Sequence, residues 1–119
     1  MVVALSNGRI AQYVLTKDSG SPKLEYINYV HCFPDSTLVL SLAVHGQSGK
    51  VLSTLSTGEV AIVGPQAIDS PILWRAHDLE VWCGAWKSPD IVLTGGDDAK
   101  LKIWDLRGDP YVPSVVSKW

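Results

Sequence analysis

Residues 93–107 read LTGGDDAKLKIWDLR, a turn rich in glycine and aspartate followed by a strand of alternating apolar residues. Its core, GGDDAKLKIW at residues 95–104, aligns without gaps with two earlier segments, ALSNGRIAQY at 4–13 and TLSTGEVAIV at 54–63. Each segment predicts the end of one strand, a tight turn and a second strand. The turn is favoured because residues such as Asn-Gly accept the positive φ angles of a hairpin.

The spacing of these hairpins predicts the architecture. Asn7, Thr57 and Asp98 share one turn position, and they are separated by 50 and 41 residues. A hairpin that recurs about every 40 to 50 residues is typical of the four-stranded blades of a β-propeller. The apolar clusters between the hairpins are short, and none has the period of an amphipathic helix. We therefore predict an all-β chain, a partial propeller of about two and a half to three blades of four antiparallel strands.

Three units follow along the chain. Residues 1–36 form a partial first blade without an opening strand, residues 37–76 a complete second blade, and residues 77–119 a third blade with its last strand at 111–117. The segment 16–22 is predicted to be a surface connection. Because a propeller needs at least four blades to close, we expect a fragment that pairs with further blades or self-associates. A self-contained β-sandwich is the alternative, but it leaves the repeat unexplained.

Composition excludes several classes of function. The 119 residues are 46% hydrophobic, and 10 Lys and Arg oppose 12 Asp and Glu without a run of either sign. We therefore predict no binding to nucleic acid or to a membrane surface. No apolar stretch is long enough to cross a membrane, and no signal peptide is expected. Cys32 and Cys83 are isolated, which predicts reduced thiols, buried as small hydrophobic side chains, in a cytoplasmic protein.

Several short motifs resemble catalytic or ligand-binding sites but lack residues or geometry that such sites require. The segment HGQSGK, residues 45–50, matches neither the GxSxG nucleophile elbow nor a phosphate-binding loop, so it predicts a polar turn. His31 and Cys32 are adjacent in a strand and point to opposite faces. The two carboxylates of GGDD lack a third ligand for a metal ion. We therefore predict no metal site and no cofactor.

The last unit resembles a WD40 repeat, because His77 opens it and Trp104-Asp105 closes it at residue 107. In that family a histidine, a strand Ser or Thr, a turn aspartate and the tryptophan form a buried hydrogen-bond network. The resemblance implies this structural network for His77, Thr94, Asp98 and Trp104. A buried carboxylate needs such partners to offset its desolvation, so Asp98 is predicted to be structural.

A closer resemblance covers residues 74–107, WRAHDLEVWCGAWKSPDIVLTGGDDAKLKIWDLR. This stretch, with most of the unit from residue 38 onwards, is similar to the diphthine methyl ester hydrolase family of diphthamide biosynthesis, whose members are named diphthine methyltransferase. The residues that carry the resemblance are Ala76, His77, Glu80, Trp82, Thr94, Gly95, Gly96, Asp97, Asp98, Trp104, Asp105 and Arg107. It implies hydrolysis of a methyl ester on the modified histidine of elongation factor 2.

Ester hydrolysis requires an activated water or nucleophile and donors for the developing oxyanion. Glu80 and Asp97 are the acids expected to reach the propeller face, and they are the catalytic candidates. Trp82 is the candidate wall for the quaternary ammonium of the substrate, by cation–π attraction. Glu80 and Asp97 as solvated acids and Trp82 as a core residue are the competing interpretation. A non-catalytic WD40 interaction scaffold and an inactive truncated propeller are the competing functions.

Overall fold

The computed structural model describes residues 1–34, 36–64, 71–108 and 112–118. The regular structure in this part of the chain is entirely β-strand, which confirms the predicted all-β class. The strands are β1 (Val2–Ala4), β2 (Arg9–Asp18), β3 (Ser21–Cys32), β4 (Val39–Val44), β5 (Val51–Leu55), β6 (Glu59–Val63), β7 (Ile72–Arg75), β8 (Val81–Ser88), β9 (Ile91–Gly96), β10 (Lys100–Asp105) and β11 (Val115–Lys118). None of the described residues belongs to a helix that could span a bilayer.

The strands form three antiparallel sheets, here named blades. Blade 1 has the order β1-β2-β3, blade 2 the order β4-β5-β6-β7, and blade 3 the order β8-β9-β10-β11. The inner strand of blade 3, β8, packs on β4 and β5, and β4 in turn packs on β1. Successive sheets thus stack around a common axis, as in a propeller. Each blade lies within one of the three predicted units, whose limits stay a prediction.

The three hairpin turns are equivalent in conformation as well as in sequence. Gly8, Gly58 and Ala99 follow the shared turn position, and their φ angles are 79°, 89° and 60°. The N–H of each donates to the carbonyl three residues earlier, at 3.1, 3.3 and 3.2 Å. A positive φ angle is less favourable for alanine than for glycine. Ala99 nevertheless adopts the same turn conformation as Gly8 and Gly58. The hairpin repeat read from the sequence is therefore a repeat of backbone geometry.

The middle blade carries the core, because both of its faces are covered. Its strands β5 and β6 are almost entirely buried. Successive side chains of a strand point to opposite faces of the sheet, so the side chains on both faces of this blade are covered. One face packs against blade 1 in a cluster of Ile10, Phe33, Val51, Leu55, Ala61 and Val63. The other packs against blade 3 in a cluster of Leu52, Val60, Ile62, Trp74, Ala76, Val81, Val92 and Trp104.

Two sequence predictions on strand limits are corrected. The segment 16–22, predicted to be a surface connection, is instead the end of a hairpin, because β2 and β3 continue through it to a two-residue turn at Ser19 and Gly20. Both turn residues have positive φ, 52° and 81°, as the type I′ hairpin turn requires. The last strand begins at Val115, later than predicted, and Tyr111 lies outside the described residues.

The prediction that both cysteines are buried is wrong. Cys32 and Cys83 are free and exposed. Cys32 ends the outer strand of blade 1, where only Arg9 of the neighbouring strand is paired with it. Cys83 lies on the outward face of blade 3, where it lines a shallow apolar surface with Ala85, Leu93 and Leu101. Sheet alternation identifies the residues that share a face, but it does not show whether another sheet covers that face.

Candidate functional site

The side chains of His77, Thr94, Asp98 and Trp104 form a continuous chain of hydrogen bonds between blades 2 and 3. The Nδ1 atom of His77 lies 2.9 Å from Asp98 Oδ1, and its Nε2 atom lies 2.8 Å from Thr94 Oγ1. Trp104 donates its indole N–H to Thr94 Oγ1 at 2.9 Å. His77, Thr94 and Trp104 are each only 1% exposed. The structure therefore brings together all four residues of the implied network.

The donor and acceptor properties of the four side chains determine which atom donates in each hydrogen bond of the network. An indole nitrogen can only donate, so Thr94 accepts from Trp104 and directs its own hydroxyl proton to His77 Nε2. The carboxylate of Asp98 accepts from His77 Nδ1–H. Both ring nitrogens of His77 are thus engaged inside the protein. His77 is unavailable as a base for a bound substrate.

Asp98 holds three parts of the chain together. Its side chain, 7% exposed, also accepts the main-chain N–H groups of Asp78 at 3.3 Å and Lys100 at 3.2 Å. Burial raises the pKa of this carboxyl, but the hydrogen bonds from His77, Asp78 and Lys100 outweigh burial and hold the pKa below its usual value. The carboxylate is therefore ionised where it stabilises the connection between β7 and β8 and the turn between β9 and β10.

Blade 2 lacks the equivalent network. The repeat aligns Ser53 with Thr94 and Val63 with Trp104, and Thr57 takes the place of the turn aspartate. The hydroxyl of Ser53 is buried without a hydrogen-bond partner, and Val63, at the position of Trp104, has no side-chain N–H to donate. A partnerless buried hydroxyl destabilises the folded state by its lost hydration.

This contrast predicts opposite effects for two similar substitutions. Thr94→Val leaves the indole N–H of Trp104 and Nε2 of His77 unpaired, so we expect it to lower the free energy of unfolding by about 2 kcal/mol. Ser53→Ala removes an unpaired hydroxyl, so we expect no loss or a small gain. Urea denaturation of both variants checks the prediction. Equal destabilisation by the two substitutions would contradict the asymmetry between the blades.

The acidic candidates, Glu80 and Asp97, lie side by side at one end of blade 3. The main-chain N–H of Asp97 donates to the carbonyl oxygen of Glu80 at 2.8 Å, directly beyond the paired residues Val81 and Gly96. Asp97 is exposed and Glu80 is half-buried. Asp97 thus points outward from the turn in which its neighbour Asp98 points inward. The two consecutive aspartates have different environments and are available for different roles.

Trp82 lies beside these acids on the inner strand of blade 3. It falls in a register shift, because Val81 pairs with Gly96 while Cys83 pairs with the next residue, Gly95. Such a bulge redirects a side chain, and Trp82 is 55% exposed. The alternative interpretation, Trp82 as a core residue, is wrong. Its indole face is accessible to a ligand.

Two other contacts in blade 3 were not predicted from the sequence. Lys102 donates from Nζ to the carbonyl of Ala76 at 2.6 Å, which ties β10 to the loop before His77. Arg107 binds Asp105 through Nε and a terminal nitrogen at 3.0 and 2.8 Å, and these hydrogen bonds lower the pKa of Asp105 to about 2. The Arg107–Asp105 pair lies at the opposite end of blade 3 from Glu80 and Asp97, where Asp105 pairs with Ile91. No cluster of three metal-ligating side chains occurs within the described residues.

Comparison with known proteins gives relatives of two kinds. The chain is 32% identical over 112 residues to a Dictyostelium discoideum protein named diphthine methyltransferase homolog, covering 88% of this chain and 30% of that protein. It is 34% identical over 64 residues to human diphthine methyltransferase, covering 49% of this chain and 14% of that protein. It is also 38% identical over 74 residues to the mouse intraflagellar transport protein 80 homolog, covering 60% of this chain and 9% of that protein.

The chain therefore spans less than a third of the length of these relatives. No protein-family model matches it. Among solved structures, a chain of the mitotic checkpoint complex crystal structure superposes with a TM-score of 0.70 at 22% identity, covering 97% of this chain and 33% of that one. That likeness concerns the fold alone. The chain is a WD40-repeat protein, a partial β-propeller that resembles the proteins named diphthine methyltransferase.

Proposed function

We propose that this chain acts in diphthamide biosynthesis and hydrolyses the methyl ester of methylated diphthine on elongation factor 2. The observation that carries the proposal is the similarity to diphthine methyltransferase proteins, which extends over 88% of the chain in the Dictyostelium alignment. The accessible group formed by Glu80, Trp82 and Asp97 at one end of blade 3 supports it, since these residues lie outside the structural network.

Ester hydrolysis needs a group that removes a proton from water as the water attacks the carbonyl carbon. A carboxylate at the end of a blade can do this without leaving the scaffold. Glu80 and Asp97 are held next to each other by a main-chain hydrogen bond of 2.8 Å, so a substrate that reaches one also meets the other. His77 is occupied on both ring nitrogens, which leaves the two acids as the bases of the proposal.

The substrate carries a quaternary ammonium, which cannot donate a hydrogen bond and is recognised by aromatic faces and negative charge. The exposed indole of Trp82 would contact this group, and the neighbouring acids would complement its charge. The protein surface around the modified histidine of elongation factor 2 would then dock across the same end of the blades. In this arrangement Trp82 contributes to substrate binding, and one of the acids contributes to the chemical step.

The test incubates the protein with elongation factor 2 that carries methylated diphthine and follows methanol release together with the mass of the modified peptide. Glu80→Gln or Asp97→Asn, whichever is the base, is expected to lower kcat about 100-fold. Trp82→Ala is expected to raise KM about tenfold with less effect on kcat. The matched control is Asp90→Asn, an exposed acid in the turn at the opposite end of blade 3, which should leave both constants unchanged.

The same assay separates the competing functions. Methyl transfer, the activity in the relatives' printed names, would add a methyl group from a donor and release no methanol. Retention of elongation factor 2 with an unchanged ester would instead support an interaction scaffold. The similarity to an intraflagellar transport protein favours that second candidate. Exposed Leu79 and Trp82, 48% and 55% accessible, would then belong to a protein-binding surface.

Both candidate functions require a protein partner. The proposed substrate implies a cytoplasmic location for this chain. Fluorescence microscopy of the tagged protein tests the location. Enrichment in a membrane-bound compartment would contradict the proposal, because the ester to be hydrolysed is carried by a translation factor.

A further inference from the structure

The loop at residues 76–80 joins blade 2 to blade 3 and carries Glu80 to the candidate site. It lies between β7 and β8 and has no regular secondary structure, so its position depends on contacts with its surroundings. The N–H groups of its first two residues donate to the carbonyl oxygen of Gly58, both at 3.0 Å, and the carbonyl oxygen of Glu80 accepts the N–H of Asp97 at 2.8 Å. These main-chain bonds fix the two ends of the loop and leave its middle to side chains.

Two side chains hold the middle of the loop at Asp78. The main-chain N–H of Asp78 donates to the carboxylate of Asp98 at 3.3 Å, and its carbonyl oxygen accepts from one terminal nitrogen of Arg75 at 3.4 Å. The other terminal nitrogen of Arg75 donates to the carbonyl oxygen of Thr57 at 3.2 Å. Because a guanidinium presents its donors in a planar, rigid fork, this one side chain connects the loop to the hairpin turn of blade 2.

Asp98 and Arg75 thus connect the loop to the turns of the two blades that it joins. Blade 2 has Thr57 at the turn position of Asp98, and the hydroxyl of Thr57 donates to Glu59 at 3.0 Å instead of reaching the loop. Arg75 supplies that connection from the outer strand. The Asp98 side chain is only 7% exposed, whereas Arg75 is exposed. Since exposed side chains contribute little to stability, we expect the fold to tolerate the loss of Arg75.

The position of the Asp78 carbonyl matters because Glu80 is only two residues away. Without Arg75 this carbonyl would be free to turn toward water, and the peptide units that follow would gain freedom to rotate. That rotation would move the carboxylate of Glu80 relative to Asp97. A misplacement of about 1 Å can slow a catalysed reaction about 100-fold, so a contact that adds little to stability can still control the rate.

We propose that Arg75 is a positioning residue, which holds the carboxylate of Glu80 in place beside Asp97 through the carbonyl oxygen of Asp78. Arg75 itself does not touch the substrate. The catalytic part of this inference rests on the proposed function, in which Glu80 and Asp97 are the acids of the site. The placement of the loop by Arg75 does not depend on that function.

The first test measures hydrolysis of methylated diphthine on elongation factor 2 by the whole chain. Arg75→Met keeps the apolar stem and removes every donor, so we expect kcat to fall about tenfold, KM to change less than about twofold, and the urea midpoint to stay that of the wild type. Arg75→Lys should recover part of the lost kcat, because one ammonium can still bond to one of the two carbonyl oxygens. Lys87→Met, an exposed cation near the opposite end of β8, is the matched control and should leave both constants unchanged.

Amide hydrogen exchange tests the placement of the loop without a substrate. The N–H of Asp97, which donates to Glu80, should exchange about threefold faster in Arg75→Met, whereas the N–H of Gly49, bonded in a turn at the other end of blade 2, should not change. Faster exchange together with an inactive wild type would refute hydrolysis and leave the role of Arg75 in placing the loop supported. Unchanged exchange at Asp97, equal kcat in an active wild type and Arg75→Met, or a fall in the urea midpoint as large as that of Asp98→Ala would each overturn the proposal.

Discussion

Replacing Asp98 with alanine should lower the free energy of unfolding by about 3 kcal/mol, whereas the same change at Asp97 should alter it by less than about 0.5 kcal/mol. Asp98 accepts hydrogen bonds from His77, Asp78 and Lys100, and its side chain is only 7% exposed. Removing it leaves a buried imidazole N–H and two main-chain N–H groups without an acceptor. Asp97 is exposed, and its main-chain bond to Glu80 does not depend on its side chain.

Chemical denaturation of the two variants, one residue apart in the same turn, checks this difference. His77→Phe in the Asp98→Ala background should cost less than it does alone, because the network is already broken. Similar losses in the free energy of unfolding for Asp97→Ala and Asp98→Ala would contradict the prediction. They would show that the stability of the turn depends on its acidic composition and not on the buried network. The comparison is independent of any catalytic activity, so it also tests the structural role of Asp98 if Asp97 proves to be the base.

Gly58→Ala is expected to destabilise the chain by about 3 kcal/mol, because two separate costs act at this position. The φ angle of Gly58 is +89°, which an L-residue with a side chain rarely adopts. A Cβ atom built there would also lie 3.0 Å from the carbonyl oxygen of Leu79 and closer still to that of His77. Both are main-chain atoms, so neither can move away as a side-chain end would. The loop that contains His77 would have to shift.

Gly20→Ala provides the matched control, since Gly20 has φ +81° and no atom within 4 Å of the built Cβ. Only the backbone strain remains there, and we expect a loss of about 1 kcal/mol. Thermal unfolding followed by circular dichroism measures both variants. Equal losses at the two glycines would mean that close approach between the hairpin turn and the His77 loop adds nothing to the cost.

The structure explains why the hairpin repeat was predictable. The turn at Asn7-Gly8 has a local sequence signal, and its equivalents at Thr57-Gly58 and Asp98-Ala99 repeat the same conformation. Turn geometry depends on the φ preferences of a few neighbouring residues, so it can be read without the rest of the fold. The spacing between turns then limited the architecture to four-stranded blades.

Other features depended on contacts that the sequence does not specify. Cys83 and Val92 both belong to apolar stretches of blade 3, yet Cys83 is exposed and Val92 is fully buried. The sequence is compatible with Trp82 either as a core residue or as part of a ligand-binding wall, and the register shift in β8 accompanies its exposure.

The sequence by itself determined the all-β class, the repeated hairpin and the set of residues available for the His77 network, because these follow from local turn conformation and the alternation of strands. Only the tertiary structure decided which of two adjacent aspartates is buried and whether the two cysteines are covered or exposed. Those outcomes depend on which sheet faces lie against one another. Packing between blades joins residues far apart in the chain, and strand periodicity carries no information on that arrangement.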